Sequence, residues 1–284
     1  MSSITSAFET LKTNLEVTSL QRNTTSTRQQ NVRDAVEKEL TVLDSFLTGS
    51  YIRNTMIAPL SEADIDVFIV LHPSYYNQYH PAVVLDKVRN VLLKTYTKTP
   101  KISRNGQAVT ITFTDFIVDV VPAFNRNGGG YLIPNSTEGT WISTNPKVHI
   151  DLLNTQNTYH NGKLVPLIKM VKRWNKYINQ PFISFYLELM VINMFANNQI
   201  FDYESGMTFF FIKGKDAIRY TIQDPVSYGG QVKGLSGINI QDAVSRFDTA
   251  YGRAGKAYDY NKRGYSQNAF EEWQKIFGSY FPAY

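Results

Sequence analysis

The run DIDVFIVL over residues 64–71 leaves this chain of 284 residues few ways to fold. Its β-branched and apolar side chains predict a strand that is buried on at least one face. Asp64 and Asp66 lie two residues apart within this run. Because side chains alternate along a strand, both carboxylates would point from one face of the sheet, about 7 Å apart. The fold must therefore tolerate two acids on a largely apolar strand.

Asp119 is a third acid of the same kind, within the run IVDVVP that ends at Pro122. Buried carboxylates that face one another repel and are costly to ionise. A compensating positive charge is expected, but the sequence between Glu62 and Lys87 contains no lysine or arginine. Carboxylate oxygens are hard ligands suited to Mg²⁺, and two such ions about 3.5–4 Å apart serve in-line phosphoryl transfer. The three acids therefore predict a site for two divalent ions.

A Gly-Ser pair, Gly49 and Ser50, is separated from Asp64 by thirteen residues. Apolar residues spaced by three and four over residues 27–47 predict a long amphipathic helix that Gly49 ends. By itself the pair is only a helix stop, and a lone DxD usually means a strand with one solvated face. Together with the third strand acid, the pair predicts a turn that presents backbone N–H groups and a hydroxyl to a phosphate.

The rest of the chain divides into a mixed first half and a mostly helical second half, without an internal repeat or a low-complexity linker. Apolar spacing of three and four predicts helices at residues 8–15, 82–97, 148–154, 163–178 and 184–197, and in pieces of 241–284. Alternation predicts strands at residues 101–105 and 107–121 and a strand or hairpin within 207–223, with loop at 125–145. This order predicts two lobes across a cleft.

The order of these motifs resembles the DNA polymerase β-like nucleotidyltransferase superfamily, with Gly-Ser before DxD and a third strand acid after it. The segments KMVKRW at residues 169–174 and SFYLE at residues 184–188 look like the corresponding region of the CD-NTases. These enzymes are the bacterial relatives of cyclic GMP-AMP synthase and oligoadenylate synthase. The motifs extend over about half of the chain.

The resemblance implies an α+β fold. A polymerase β-like nucleotidyltransferase core, with a mixed β-sheet, helices and a long N-terminal helix, would occupy residues 1–145. A mainly helical C-terminal lobe would occupy residues 146–284 and pack against the core. The active site would lie in the cleft between them.

The resemblance also implies a role for each matching residue. Asp64 and Asp66 would bind both metal ions, and Asp119 would bind the catalytic ion and help to activate the attacking hydroxyl. Gly49 and Ser50 would cradle the triphosphate. The other implied phosphate contacts are the Lys172 ammonium and the Ser184 hydroxyl, while Arg53 and Thr55 match the family's R-x-T and Glu188 would cap or bridge helices. Tyr228 is a candidate for stacking on a base, although a surface tyrosine is an equal interpretation.

The implied activity is the joining of nucleoside triphosphates into a cyclic di- or trinucleotide, with release of pyrophosphate. In the family such products are second messengers that activate a separate effector protein in anti-phage (CBASS) defence, and the cofactor is Mg²⁺, with Mn²⁺ as a substitute. Two alternatives stay within the superfamily: a linear oligoadenylate synthase and a tRNA CCA-adding type of enzyme. A catalytically silent nucleotide-binding protein is a third, although intact Asp64, Asp66 and Asp119 argue against it.

Composition excludes several other classes. The chain contains no cysteine, which excludes disulfides, zinc-thiolate sites, iron–sulfur clusters and thiol nucleophiles. The zinc element of the mammalian DNA sensor is therefore missing, which disfavours activation by DNA. A net charge of +5 is too mild for a dedicated nucleic-acid binder. The first residues lack a basic and then apolar signal pattern, and no apolar stretch is long enough for a bilayer, so we expect a cytoplasmic protein with no membrane partner. The sequence leaves the oligomeric state open, and a monomer is the default expectation.

Overall fold

A computed structural model describes residues 3–59, 64–99 and 101–284. The strands are β1 (Val42–Leu47), β2 (Asp64–Leu71), β3 (Lys101–Asn105), β4 (Ala108–Thr112), β5 (Ile117–Asn125), β6 (Tyr131–Asn135), β7 (Thr140–Thr144), β8 (Ile222–Gln223) and β9 (Gln231–Val232). The helices are α1 (Ile4–Asn14), α2 (Ser19–Glu37), α3 (Gly49–Ile52), α4 (Pro73–Gln78), α5 (Pro81–Thr95), α6 (Pro146–Tyr159), α7 (Leu164–Tyr177), α8 (Ser184–Phe195), α9 (Tyr203–Ala217), α10 (Ile240–Lys262) and α11 (Ser266–Phe277). The mixture of helices and a mixed sheet is the predicted α+β class.

The main sheet has the strand order β1-β2-β5-β4-β3. β2 and β5 are parallel, whereas β1, β4 and β3 each pair antiparallel to their neighbours. The end of β5 pairs with β6, which forms a hairpin with β7. β8 and β9 form a separate two-stranded ribbon. The two acid-bearing strands are therefore neighbours at the centre of the sheet.

The side chains of β2 alternate between two environments. Ile65 and Val67 are fully buried in a core that also contains apolar residues of α2 and α5. On the opposite face, Asp64 and Asp66 come first along the strand, and Phe68 follows them into a smaller apolar cluster. This alternation explains how a strand of mostly apolar sequence can present carboxylates at one end of one face.

The chain packs into two compact units, which we call the sheet unit and the helical unit. The sheet unit contains Val17–Asp151 and Pro225–Gly229, and the helical unit contains Met1–Glu16, Leu152–Asp224 and Gly230–Tyr284. The predicted boundary after residue 145 stays a prediction of domain organisation. By packing, α1 groups with the C-terminal helices, because its Phe8 ring lies edge-on to the Trp273 ring, with 4.9 Å between centroids.

The core of the helical unit forms around α7. The predicted apolar stripe on this helix is buried, and Trp174 is only 2% exposed. Its indole ring stacks against Phe182 and contacts Phe211 and Phe247, at centroid distances of 5.5, 5.1 and 4.9 Å respectively. Trp174 is therefore a core residue, as the sequence predicts.

The predicted helix over residues 27–47 is wrong in its second half. α2 ends at Glu37, and residues 42–47 form β1 instead. A helical stripe would bury Leu43, which is 47% exposed, whereas Phe46 pairs across the sheet with Phe68. Over so short a run, apolar spacing does not distinguish a strand from a helix, and the long-range pairing with β2 decides between them.

Three other segments also differ from the sequence prediction. Residues 107–121 split into the antiparallel strands β4 and β5, and residues 125–145 contain the β6–β7 hairpin rather than loop alone. Residues 203–217 are the helix α9, not a hairpin. Gly214 lies inside that helix because a β-carbon there would overlap the Phe247 ring. Close helix packing, and not a turn, accounts for this glycine.

Among the described residues, no helix is both long enough and apolar enough to cross a membrane.

Candidate active site

Three polar side chains form a row across three neighbouring strands of the sheet unit. Asp66 on β2 lies opposite Asp119 on β5, and Asp119 lies opposite Thr110 on β4. Directly opposed residues share one face of a sheet, and adjacent strands are about 4.8 Å apart. The register therefore places the Asp66 and Asp119 carboxylates side by side, as two strand acids must lie to share an ion.

Asp64, the first residue of β2, belongs to the next row of the sheet. Its opposite residue on β5 is Ile117, which in turn lies opposite Thr112 on β4. The Asp64 residue is exposed, whereas Asp66 and Asp119 are half-buried. The three acids thus lie on one face, with Asp64 nearest to solvent. The spacing of two predicts this for Asp64 and Asp66, and the register of β2 with β5 adds Asp119.

Gly49 lies directly against the row. The Thr48 N–H donates to the Asp66 carbonyl oxygen at 2.9 Å, which holds the end of β1 beside β2. Gly49 then turns with φ of +64°, and a β-carbon at this position would overlap the Asp66 carboxylate. The sequence interpretation of Gly49 as the stop of a long helix is wrong, because Gly49 follows β1 and begins α3. Its position beside the acids agrees with a cradle for a ligand.

Ser50 anchors the chain that follows α3. Its carbonyl oxygen accepts the N–H groups of Thr55 and Met56 at 2.9 and 3.1 Å. Thr55 is fully buried, so this half of the R-x-T pair lies inside the sheet unit. The predicted contacts of Gly49 and Ser50 with a triphosphate stay predictions.

Burial raises the pKa of Asp119, and the hydrogen bond from Thr110 opposes that shift. The Thr110 hydroxyl donates to Asp119 Oδ1 at 2.6 Å. The folded protein therefore binds a proton at Asp119 more tightly than the unfolded chain does. The free energy of unfolding falls as the pH rises through the window between the ordinary and the raised pKa. At neutral pH the ionised Asp119 destabilises the fold unless a cation lies next to it.

We expect Asp119→Asn to raise the melting temperature by a few degrees in metal-free buffer at neutral pH. The amide oxygen still accepts from Thr110, but the buried charge is gone. The gain should shrink at acidic pH, where the parent carboxyl is protonated too. Thermal unfolding of both proteins at the two pH values, with a chelator present, measures this difference. A lower melting temperature for the variant at neutral pH would contradict the account that the ionised Asp119 carboxylate destabilises the fold.

The donor chemistry of this row fits a divalent cation. Asp66 and Asp119 provide hard carboxylate oxygens on adjacent strands, and Asp64 provides another two residues along. As the side chains lie, no three acids or histidines of the described part of the chain converge on one point. One Asp119 oxygen is already bonded to Thr110. Asp66 and Asp119 are therefore the residues that would hold a shared ion, with Asp64 as the outer ligand.

Lys172 and Ser184 belong to the helical unit. The Lys172 ammonium on α7 pairs with Glu188 on α8 at 3.0 Å, and the two side chains are only 8% and 2% exposed. Ser184 is the exposed first residue of α8, one helical turn before Glu188. Glu188 thus bridges two helices, as the sequence suggests. The predicted contacts of Lys172 and Ser184 with phosphate stay predictions, and Lys172 as placed is already neutralised.

We expect Lys172→Met to lower the free energy of unfolding by about 3 kcal/mol, because it removes the Lys172 partner of the buried Glu188 carboxylate. The double variant Lys172→Met with Glu188→Leu should lie within about 1 kcal/mol of the parent, since no buried charge remains. Urea unfolding measures both values. As a control, Lys147→Met breaks an exposed pair with Asp151 and should change stability by less than about 0.5 kcal/mol. Equal losses in the single and double variants would contradict this account.

Tyr228 lies away from the carboxylates. Its segment packs within the sheet unit, where the ring lies 3.8 Å from the Arg126 guanidinium and the hydroxyl donates to the Gly129 carbonyl oxygen at 3.0 Å. Arg126 follows the last residue of β5, Asn125, so its backbone lies about 20 Å along the strand from Asp119. The contacts described for the Tyr228 ring are with Arg126 and Gly129, and its stacking on a base stays a prediction.

Thr110 is the neighbour of the acids that the sequence analysis missed. The alternation in AVTIT predicts that it faces the same way as Thr112, but only the register of β4 against β5 shows which acid it meets. Nothing in the local sequence marks this threonine hydroxyl as a neighbour of the acids.

The chain is similar to known proteins. Residues 1–157 match the model of the SMODS family, the Second Messenger Oligonucleotide or Dinucleotide Synthetase domain. That range includes Gly49, the three acids and Thr110.

Two curated bacterial proteins are similar over most of their length. The cyclic AMP-AMP-AMP synthase of Acinetobacter sp. (strain ATCC 27244 / 9458) is 27% identical over 295 residues, which cover 97% of this chain and 84% of that protein. A probable cyclic nucleotide synthase of Bacillus cereus (strain VD146) is 24% identical over 269 residues, which cover 83% of this chain and 81% of that protein.

Solved structures show the same fold. The Vibrio cholerae DncV cyclic AMP-GMP synthase superposes with a TM-score of 0.79 at 12% identity, covering 99% of this chain and 97% of that chain. E. coli MS115-1 CdnC, solved with ATP, gives a TM-score of 0.69 at 18% identity and covers 98% and 99%. The chain therefore has the polymerase β-like fold over nearly its whole length.

Proposed function

The chain belongs to the SMODS family of second messenger oligonucleotide or dinucleotide synthetases, and on this premise we propose that it condenses nucleoside triphosphates into a cyclic oligonucleotide. It is thus a nucleotidyltransferase of the CD-NTase type. The observation that carries the proposal is the row of Asp66 and Asp119 on adjacent strands, with Gly49 packed against it. This row provides the carboxylates that the reaction needs, within the range that matches the family.

The proposed reaction is a nucleotidyl transfer at an α-phosphorus. A ribose hydroxyl of one nucleotide forms a new O–P bond, the bond from the α-phosphorus to the bridging oxygen breaks, and pyrophosphate leaves with its negative charge. A divalent ion is the cofactor that this family generally uses, and when bound it would lower the pKa of the attacking hydroxyl and compensate the charge of the triphosphate. We propose two Mg²⁺ ions, with Mn²⁺ as a substitute.

The protein's own residues have distinct tasks in this proposal. Asp66 and Asp119 would hold the cations, and Asp64 would complete the ligand set from the exposed end of β2. Gly49 leaves space for the Asp66 carboxylate, and its turn would cradle the triphosphate. The resemblance assigns phosphate contacts to Lys172 and Ser184 as well, and these stay expectations, since the Lys172 ammonium as placed is paired with Glu188.

We propose a cyclic di- or trinucleotide as the product, made by a second transfer that closes the ring. The Acinetobacter relative is named for a cyclic trinucleotide and the Vibrio cholerae structure for a cyclic dinucleotide, so ring size differs among similar proteins. The product would act as a second messenger on a separate effector protein in anti-phage defence. We further propose ATP among the substrates, a cytoplasmic monomer, and no requirement for DNA.

The test is incubation of the purified protein with all four nucleoside triphosphates and Mg²⁺ or Mn²⁺, followed by phosphatase and mass spectrometry. A phosphatase-resistant cyclic product supports the proposal and identifies the bases. Linear products would instead assign an oligoadenylate synthase or a tail-adding enzyme. Nucleotide binding by calorimetry without any product would assign a silent binding protein. A parallel preparation of Asp66→Asn controls for contaminating enzymes.

A further inference from the structure

We infer that Thr110 is a positioning residue whose hydroxyl sets the orientation of the Asp119 carboxylate toward Asp66. The inference rests on the proposed function, since it concerns the same carboxylate row. It assigns a role to a residue on β4, a strand that contributes no acid to the site.

The contact between Thr110 and Asp119 is short and well placed. The Thr110 Oγ1 to Asp119 Oδ1 distance is 2.6 Å, within the range of a hydroxyl that donates to an ionised carboxylate. The two residues are direct partners in the antiparallel register of β4 and β5, so the backbone holds them opposite each other. Threonine is also β-branched, which restricts rotation about its first side-chain bond. The donor is therefore preorganised for this one acceptor.

The strand order gives the bond a direction. β5 lies between β4 and β2, so Asp119 has Thr110 on one side and Asp66 on the other. Because Oδ1 is bonded to the hydroxyl on β4, we expect Oδ2 to be the oxygen that serves a cation shared with Asp66 on β2. The Thr110 hydroxyl would thus orient the carboxylate for that role.

Partners that orient a metal-binding side chain commonly change metal affinity or activity by about 10- to 100-fold when they are removed. Without the Thr110 hydroxyl, the Asp119 carboxylate could rotate, and its oxygens would no longer be held toward Asp66. A half-buried acid that is already held in one rotamer loses less side-chain conformational entropy when a cation binds. We therefore expect Thr110 to act on metal affinity and on turnover, and little on the affinity for nucleotide.

The test uses Thr110→Val, which keeps the β-branched shape and removes the hydroxyl, and Thr110→Ser, which keeps the hydroxyl. Mn²⁺ binding to the nucleotide-free protein is followed by electron paramagnetic resonance, and kcat and KM are measured separately. We expect about tenfold weaker Mn²⁺ binding and a kcat lower by about 10- to 100-fold in Thr110→Val, with KM nearly unchanged. Thr110→Ser should lie within about threefold of the parent in both measurements.

Thr112→Val is the matched control. Thr112 lies two residues along on the same face of β4, half-buried like Thr110, but its partner on β5 is the apolar Ile117. It should bind Mn²⁺ and turn over like the parent. If Thr110→Val does not fold, Thr110→Ala replaces it, with unfolding curves to verify each protein.

The outcomes separate this inference from the proposed function. Mn²⁺ binding of parent affinity in folded Thr110→Val overturns the role of Thr110 and leaves the proposed function standing. Equal losses in Thr110→Val and Thr112→Val also overturn it, because a general effect on β4 would then suffice. Parent protein that binds no Mn²⁺ and forms no product overturns both.

Discussion

Replacing Asp64 and Asp66 by asparagine is expected to lower turnover by at least about a thousandfold while the protein stays folded. Metal ions contribute several kcal/mol of charge stabilisation to phosphoryl transfer, and about 1.4 kcal/mol corresponds to a factor of ten in rate. Both substitutions keep the shape of the side chain. They also remove like charges from one face of β2, so the melting temperature in metal-free buffer should be unchanged or higher. Product formation from nucleoside triphosphates and thermal unfolding are the two measurements.

The control for this pair is Asp86→Asn. Asp86 lies on α5 and forms an exposed ion pair with Arg104, so it carries the same chemical change without contact with the row. It should retain turnover within about twofold of the parent, because exposed pairs contribute little. If the variant lacking both Asp64 and Asp66 turns over within tenfold of the parent, the assignment of these acids as metal ligands is wrong.

Gly49→Ala is expected to reduce turnover by at least about a hundredfold. The new β-carbon would occupy the space of the Asp66 carboxylate, so either that carboxylate or the turn must move. Displacement of a reacting or coordinating group by about 1 Å can cost about a hundredfold in rate. The alanine also adopts φ of +64°, which costs about 1 kcal/mol in stability. Turnover and urea unfolding together measure the two effects.

Gly139→Ala separates the steric effect from the backbone effect. Gly139 has φ of +70°, close to that of Gly49, but no heavy atom lies within 4 Å of the position of a β-carbon. This variant should lose a similar amount of stability and retain turnover within about twofold. Similar turnover in the two variants would mean that strain in the turn, and not the Asp66 carboxylate, explains any loss at Gly49.

The local pattern predicted much of the fold near the acids. The run at residues 64–71 is a strand with the predicted bounds, and the two acids alternate onto one face. The amphipathic stripe around Trp174 is buried as predicted, because its period of 3.6 extends over four turns. The local pattern failed for a short segment: residues 42–47 match a helical spacing and yet form β1. Such runs are decided by the partner strand, which the local sequence does not contain.

The site shows the same division. Asp64, Asp66 and Asp119 could be named from three acids in apolar runs, and the Gly49-Ser50 pair from its position before them. The resemblance added Lys172 and Ser184. The Thr110 bond to Asp119 could not be named, because its signal is a register between two strands. The salt bridge of Lys172 with Glu188 changes what was expected of Lys172, since a lysine beside a carboxylate is not a lone charge for phosphate.

The sequence by itself predicts which residues carry the chemistry, because an acid within an apolar strand is costly and can be recognised from the order of residues alone. It also determined the α+β class and the family resemblance, through the order and spacing of motifs. Only the tertiary structure decided which acids stand next to each other, what Gly49 makes space for and where Tyr228 lies. These are contacts between residues far apart along the chain, and strand pairing brings them to within a few ångströms.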